Sequence, residues 1–306
     1  MTDSARIVGL DFGGTSIKGG AADPSGSVIE ERSIPIALEG GAEDVLDRAA
    51  NLARELFADT TPTALGVGIA GLIDRARGVL LESPNLVALN GVNLIAGLAQ
   101  RLGLEPASVR LENDANVAAL GEQWLGAGRG EEHLMVVTLG TGIGGGLVQD
   151  GHLTVGPNGN AGEIGHVVVD PSGPQCGCGS LGCLETLASA TAARRRAEEL
   201  GLPAEDPGNL ELLSERARAA AGPERDLLHA VGRDLGLGLA YPVVLLDLEC
   251  FVFAGGFAAA FDVLEPGIRE GLAQRSFGRR ELRLRHAELG SSAGWIGAAR
   301  LVLEPH

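Results

Sequence analysis

The sequence predicts an α/β protein assembled from two related halves. Three observations carry this reading. A length of 306 residues favours two cores over one. Strand-like apolar runs alternate with amphipathic helical segments. A strand, glycine bend, strand pattern also occurs twice, first as IVGLDFGGTSIKGGAADPSG from Ile7 and then as LMVVTLGTGIGGGLVQDG from Leu134. Each copy has a buried strand, a Gly- and Thr-rich bend, a return strand and an Asp-containing turn.

Residues 6–11, 16–22 and 27–34 read as strands, the last two joined by the turn DPSGS. Over 42–57, Val45, Leu46, Ala49, Leu52, Ala53 and Leu56 fall on one helical face behind acids in the first turn. A strand ending in a glycine turn follows at 63–74, then a helix at 92–102 and a short strand at 108–112. The stretch ENDANVAALGEQWLGAG (112–128) is helical from about Ala115. The second strand pair occupies 134–151. Beyond a cysteine-rich loop come helices at about 185–200, 209–221 and 223–240, with GLPAEDPGN (201–209) as a surface connection. LECFVFAGGFAAAF (248–261) reads as strand, glycine turn and helix start. Residues 281–289 form a last strand and 292–303 a closing helix.

The net charge of −16, with 45% hydrophobic and 21% charged residues, fits a folded globular chain. It weighs against nucleic acid or an anionic membrane as partner, because both need basic patches. MTDSARIVGL lacks the basic and apolar regions of a signal peptide, and no apolar run is long enough to span a bilayer. Cytoplasm is therefore the expected location. Cys176, Cys178 and Cys183, three of the four cysteines, lie within eight positions, which points to a metal in a reducing compartment.

Glycine bends after strands let backbone N–H groups approach phosphate oxygens. In DFGGTSIK, Thr15 adds a hydroxyl and Lys18, the only lysine among 24 cationic residues, adds a compact ammonium. Alone, this stretch has a hairpin turn as its lesser reading, and it lacks Walker A spacing. LGTGIGGG (139–146) and AGGF (254–257) supply two more such turns, so three glycine turns are available to surround one nucleotide. In ENDAN, an Asp opening a helix is commonly a cap. The functional reading makes Asp114 a general base for an attacking hydroxyl, with Asn113 orienting the substrate.

His166, Cys176, Cys178 and Cys183 give H-x9-C-x-C-x4-C, a ligand set suited to structural, tetrahedral zinc. A Cys176–Cys183 disulfide is the rival reading. Glu163 and Glu185 flank this loop as acceptors for sugar hydroxyls. Cys250, in an apolar strand, reads as a core thiol.

The order D-x-G-G-T-x-x-K, N-D, L-G-T-G-x-G-G-G, G-E-x-G-H and C-x-C-G-x-x-G-C-x-E resembles the ROK family of bacterial sugar kinases and repressors, along nearly the whole chain. The resemblance implies a two-domain, actin-like ATPase (RNase H-like) fold with an interdomain cleft and the last helix returning to the first domain. The expected division is 1–112 plus 291–306 as a smaller α/β domain, and 113–290 as a larger one with the zinc loop. By position, Asp11, Gly13, Gly14, Thr15 and Lys18 look like the first phosphate motif, and Gly140, Thr141 and Gly142 like the second. Gly255 and Gly256 look like the nucleoside-side turn and Asp114 like the catalytic base. Asn113, Glu163, His166 and Glu185 match sugar-binding positions, with one His166 nitrogen on zinc and the other toward the sugar. Gly71 and Asn85 join them from more variable turns.

The resemblance implies a kinase using ATP, Mg²⁺ and structural Zn²⁺. Repressors of the family carry a DNA-binding domain before the first phosphate motif, which here begins at Asp11; a non-catalytic sugar-responsive regulator is the lesser alternative. ESPNLVALNGVNL (82–94) resembles the same stretch in ROK glucokinases, making glucose O6 the first-choice acceptor. Fructose, mannose, allose and N-acetylhexosamines are the alternatives, and polyphosphate an alternative donor. A homodimer or homotetramer is the assembly usual for such relatives.

Overall fold

The computed structural model describes residues 6–202, 210–275 and 281–304. The chain begins with β1 (Ile7–Phe12), β2 (Ser16–Ala22), β3 (Val28–Pro35), α1 (Gly41–Phe57), β4 (Leu65–Ile69), β5 (Leu72–Asp74) and β6 (Val79–Glu82). It continues through α2 (Leu94–Leu102), β7 (Val109–Asn113), α3 (Asp114–Leu125), β8 (Leu134–Leu139), β9 (Ile143–Gln149) and β10 (His152–Thr154). Then come α4 (Leu184–Ala188), α5 (Ala190–Glu199), α6 (Leu210–Ala219), α7 (Pro223–Leu246), β11 (Cys250–Ala254), α8 (Phe261–Arg275), β12 (Arg283–His286) and α9 (Ala293–Leu301).

Two compact units result. One comprises Met1–Glu132, Gly146–Ala161 and Glu288–His306, and the other His133–Gly145 and Gly162–Ala287. In the first unit the sheet order is β3-β2-β1-β4-β7, with β1 antiparallel to β2 and parallel to β4. Side chains alternate across a strand, so Val8, Leu10 and Phe12 enter one core with Leu46, Leu52 and Leu56 of α1. Gly9 turns to the opposite face, as does Gly66 of β4. A Cβ on either would run into the α9 backbone, at Trp295 or Ala298 respectively. Glycine here lets α9 lie directly on the sheet. The same alternation sends Asp11 to the α9 face, where Gly294 makes room for its carboxylate.

The second five-stranded sheet has the order β10-β9-β8-β11-β12. Within the second unit, α7 and α8 approach closely through glycines on both helices. A Cβ on Gly232 or Gly236 would strike the α8 backbone, and one on Gly267 or Gly271 the α7 backbone. Close backbone approach of this kind maximises dispersion contacts between the helices.

Most expected elements are present, with local differences. The 63–74 strand is interrupted at Gly71, whose φ of 135° is unfavourable for a side chain, and β5 turns back to pair with β6. The 185–200 helix is two helices, because Ser189 adopts an extended backbone and caps α5 by accepting the Ala192 N–H. Helix α7 continues through Pro242 to Leu246, six residues beyond the expected end. Strands β6 and β10 were not anticipated. The connection read at 201–209 lies, over 203–209, outside the described residues.

The division into units also differs from the one expected. Helix α3 joins the first unit because Gly121 of α3 and Gly297 of α9 bring those backbones together; a Cβ on either would overlap the opposite helix. Among the described residues no helix is long and apolar enough to cross a membrane.

Candidate active site

The first glycine bend closes when the Gly13 N–H donates to Ser16 O at 2.9 Å. This sets Asp11 directly opposite Lys18 in the β1–β2 register. Burial pushes the Asp11 carboxyl up to about 6, the charge of Asp114 adds to the rise, and Lys18 opposes it. Lys18 Nζ donates to Ser291 O at 3.4 Å, so the segment leading into α9 touches the same motif. Gly14 lies against Asn85, with the Asn85 Cβ 3.4 Å from where a Gly14 Cβ would sit. A phosphate candidate and a sugar candidate are therefore neighbours within one unit.

At the β7–α3 junction the cap is Asn113, not Asp114. Asn113 Oδ1 accepts the Ala115 N–H at 2.9 Å, and its Nδ2 donates to Gly71 O at 3.1 Å. Asn113 therefore joins Gly71 to the start of α3, while Asp114 occupies the first helical position. Beneath them lies a network that sequence reasoning missed. Glu112 is buried and accepts the Asn113 N–H (2.7 Å), Asn116 Nδ2 (2.9 Å) and Arg75 Nε (2.6 Å). Glu112 stood in the quoted ENDAN motif, but its partner Arg75 lies 37 residues earlier and gave no sequence signal.

In the second unit, the Gly140 N–H donates to Gly142 O at 3.0 Å, closing the second glycine turn. Gly140, Thr141, Gly256, Phe257, Ser214 and Arg194 line a cavity of about 510 Å³. Gly255, with a φ of 89°, packs on the Leu139 backbone and sets the edge of the turn beside that cavity. Arg194 was not anticipated; its Nε is buried with no hydrogen-bond partner among the described residues.

The cysteine loop closes on itself. His166, Cys176, Cys178 and Cys183 place one donor atom each within 4.8 Å of one another. Cys176 Sγ lies 3.6 Å from His166 Nδ1, and Cys178 Sγ 3.6 Å from Cys183 Sγ. Ligands on a tetrahedral zinc, at about 2.0–2.3 Å from the metal, lie roughly 3.5–3.8 Å from one another, so the donor set suits that ion. Cys176, Cys178 and Cys183 are thiols in this structure, with no Cys176–Cys183 disulfide. Backbone donation by Ser180 draws the Cys178 thiol down to about 6, whereas burial pushes Cys183 up to about 12. His166 Nε2 points away from the cluster, 4.0 Å from Glu163 Oε2. Glu185, two residues past Cys183, accepts the Ile143 N–H at 2.9 Å. Cys250 is fully buried in β11, as expected of a core thiol.

Two α/β units, each with a glycine turn between antiparallel or adjacent strands, define the actin-like ATPase fold, which the solved ROK structures share. The ROK family model matches residues 7–305, and the chain belongs to the ROK family. It is 36% identical to a glucokinase of Thermotoga maritima, with 98% of each chain covered. A ROK hexokinase from Thermus thermophilus superposes with a TM-score of 0.85 at 35% identity, covering 97% of both chains. A ROK family glucokinase from Streptomyces griseus, solved with glucose and AMPPNP, gives 0.76 at 33% identity, covering 97% of this chain and 99% of that one.

Proposed function

We propose that this protein is a glucokinase that transfers the γ-phosphoryl group of ATP to glucose O6, with Asp114 as general base. The family membership and the glucokinase relatives support an ATP-dependent sugar kinase. One observation carries the assignment of the base: Asn113 performs the helix capping, so Asp114 is not required as the cap. Its charge also acts on Asp11 of the first phosphate turn.

In the proposed reaction the Asp114 carboxylate takes the O6 proton as the hydroxyl oxygen bonds to the γ-phosphorus. The bond from that phosphorus to the bridging oxygen breaks, and ADP leaves. Backbone N–H groups of Gly14, Thr15, Thr141 and Gly142 hold the phosphates on turns that the Gly13 and Gly140 N–H groups close, and Lys18 adds a positive charge. The cavity beside Gly256 receives the nucleoside. Mg²⁺, arriving with the nucleotide, supplies further neutralisation of phosphate charge. Asn85, Gly71, Asn113, Glu163, His166 and Glu185 form the sugar contacts.

Zinc held by His166, Cys176, Cys178 and Cys183 would have no open coordination position, and so would order the loop without activating water. With Nδ1 turned to the cluster, His166 keeps Nε2 for a sugar hydroxyl. A reduced thiol cluster suits the cytoplasm, and a homodimer or homotetramer is the assembly we expect.

The test is a coupled ADP-release assay across glucose, fructose, mannose, allose and N-acetylhexosamines, with ATP and with polyphosphate. Glucose with ATP should give the highest kcat/KM. A higher value for another hexose would reassign the acceptor, and no turnover with any sugar would favour a non-catalytic regulator.

A further inference from the structure

The second phosphate turn and the cysteine loop meet at one carboxylate. Glu185 is the second residue of α4, directly after the loop that ends at Cys183. Its Oε2 accepts the N–H of Ile143, the residue that follows the Gly140–Gly142 turn. The carboxylate packs against Gly142: a Cβ there would overlap Oε2 and stand 3.0 Å from Cδ. A second bond ties the same pieces together, since the Ala190 N–H, at the start of α5, donates to Gly140 O at 2.9 Å. The other end of the cysteine loop is attached as well. Leu184 N–H donates to Val167 O at 2.9 Å, and Gly165 packs on the Ile143 carbonyl with no room for a Cβ.

We infer that Gly142 is a positioning residue for the sugar, holding Glu185 in its sugar-facing pose, and that Glu185 couples sugar binding to the shape of the phosphate turn. This rests on the proposed role of Glu185 as a sugar contact. Gly142 has an ordinary backbone conformation, since it is absent from the positive-φ glycines, so alanine is not barred there by strain. The three nearest atoms a Gly142 Cβ would meet all belong to the Glu185 side chain, and a flexible side chain gives way more easily than backbone. Gly142→Ala should therefore fold and expel the carboxylate from its place. Gly140, in the same turn, faces open space, with nothing near a Cβ. A side chain there leaves Glu185 where it is.

The experiment is calorimetric binding of glucose without nucleotide, and of AMPPNP without sugar, to the full-length protein and its variants. Losing a hydrogen bond to a charged group is worth roughly tenfold to a hundredfold in affinity. Glu185→Ala and Gly142→Ala should each weaken glucose binding by about that factor, and the double variant should be no worse than Glu185→Ala, since both remove one contact. Gly140→Ala should keep wild-type glucose affinity. Glu185→Ala should also weaken AMPPNP by several-fold through loss of the Ile143 anchor, whereas Glu163→Ala weakens glucose alone.

Wild-type glucose affinity in a folded Gly142→Ala protein, with Glu185→Ala weakened, would overturn the inference and leave the sugar-site assignment intact. Wild-type glucose affinity in Glu185→Ala would remove the sugar-site assignment and the inference together. Should Gly142→Ala not fold, the AMPPNP arm decides: unchanged nucleotide affinity in Glu185→Ala contradicts the coupling.

Discussion

Arg75 forks onto Glu112 two residues before Asp114, with Nε on Oε2 at 2.6 Å and Nη2 on Oε1. The same guanidinium reaches Gly159 O at 2.8 Å, so one side chain joins the strand that leads into Asp114 to a distant loop of the same unit. Glu112 is almost wholly enclosed, and removing one partner leaves its charge without compensation. Arg75→Met should cost about 3–5 kcal/mol, the scale for breaking a buried pair. The double variant Arg75→Met, Glu112→Gln should recover a large part of that loss. Thermal unfolding of the wild type and these two variants measures both effects, and equal losses in the single and double variants would contradict the pairing.

Asp11 provides the pH prediction. Its folded-state value of about 6 lies above the ordinary 3.8, so the native chain holds the proton more tightly than the unfolded one. The stability contributed by protonated Asp11 is full below pH 3.8 and is lost as pH rises through about 6. Ionised Asp11 is then a cost at neutral pH. Asp11→Asn should raise the melting temperature at pH 7.5, by roughly 3 kcal/mol of stability, while nucleotide use falls. A variant melting below wild type at pH 7.5 would contradict this.

How much of this was legible beforehand follows from the range of each interaction. The glycine bends, the Asn113–Asp114 pair and the cysteine spacing are local patterns, and the strands around them alternate plainly enough to be read. The cap could not be assigned to Asn113 over Asp114, because the choice depends on which residue has the extended backbone, and Gly71 helps to fix that from 42 residues away. Arg75 and Glu112 were invisible for the same reason. Gly9 of β1 and Gly66 of β4 face the α9 backbone, a packing partner more than two hundred residues away that leaves no local pattern. The packing of α3 on α9, which draws α3 into the first unit, leaves its mark only as single glycines on two distant helices. The short strands β6 and β10 are too brief to show a period of two.

Lys18→Met tests the first phosphate turn. Lys18 lowers the Asp11 value, so its removal should move the acid limb of the kcat/KM profile for ATP to higher pH. KM for ATP should rise, while the glucose Kd stays near wild type. Intact ATP kinetics with a lost sugar site would remove the assignment of Lys18 to phosphate.

Metal analysis of protein purified without chelators should find about one zinc per chain, the stoichiometry of a single closed site. Cys178→Ala should lose that metal, retain AMPPNP binding and bind glucose far more weakly. Metal-free protein with normal glucose phosphorylation would mean that the loop holds its shape through its hydrogen bonds alone.

The central claim is that Asp114 takes the proton from the sugar hydroxyl, and Asp114→Asn tests it most directly. The asparagine keeps the size of the side chain, and the cap is supplied by Asn113, so the fold should be retained. Steady-state kinetics with glucose and ATP, paired with equilibrium binding of each ligand, should show both affinities near wild type and kcat lower by roughly 10²–10⁴, the scale for loss of a general base. An Asp114→Asn protein with unchanged kcat and a lowered melting temperature would show Asp114 to be a structural residue of α3, and the proposed mechanism would be wrong.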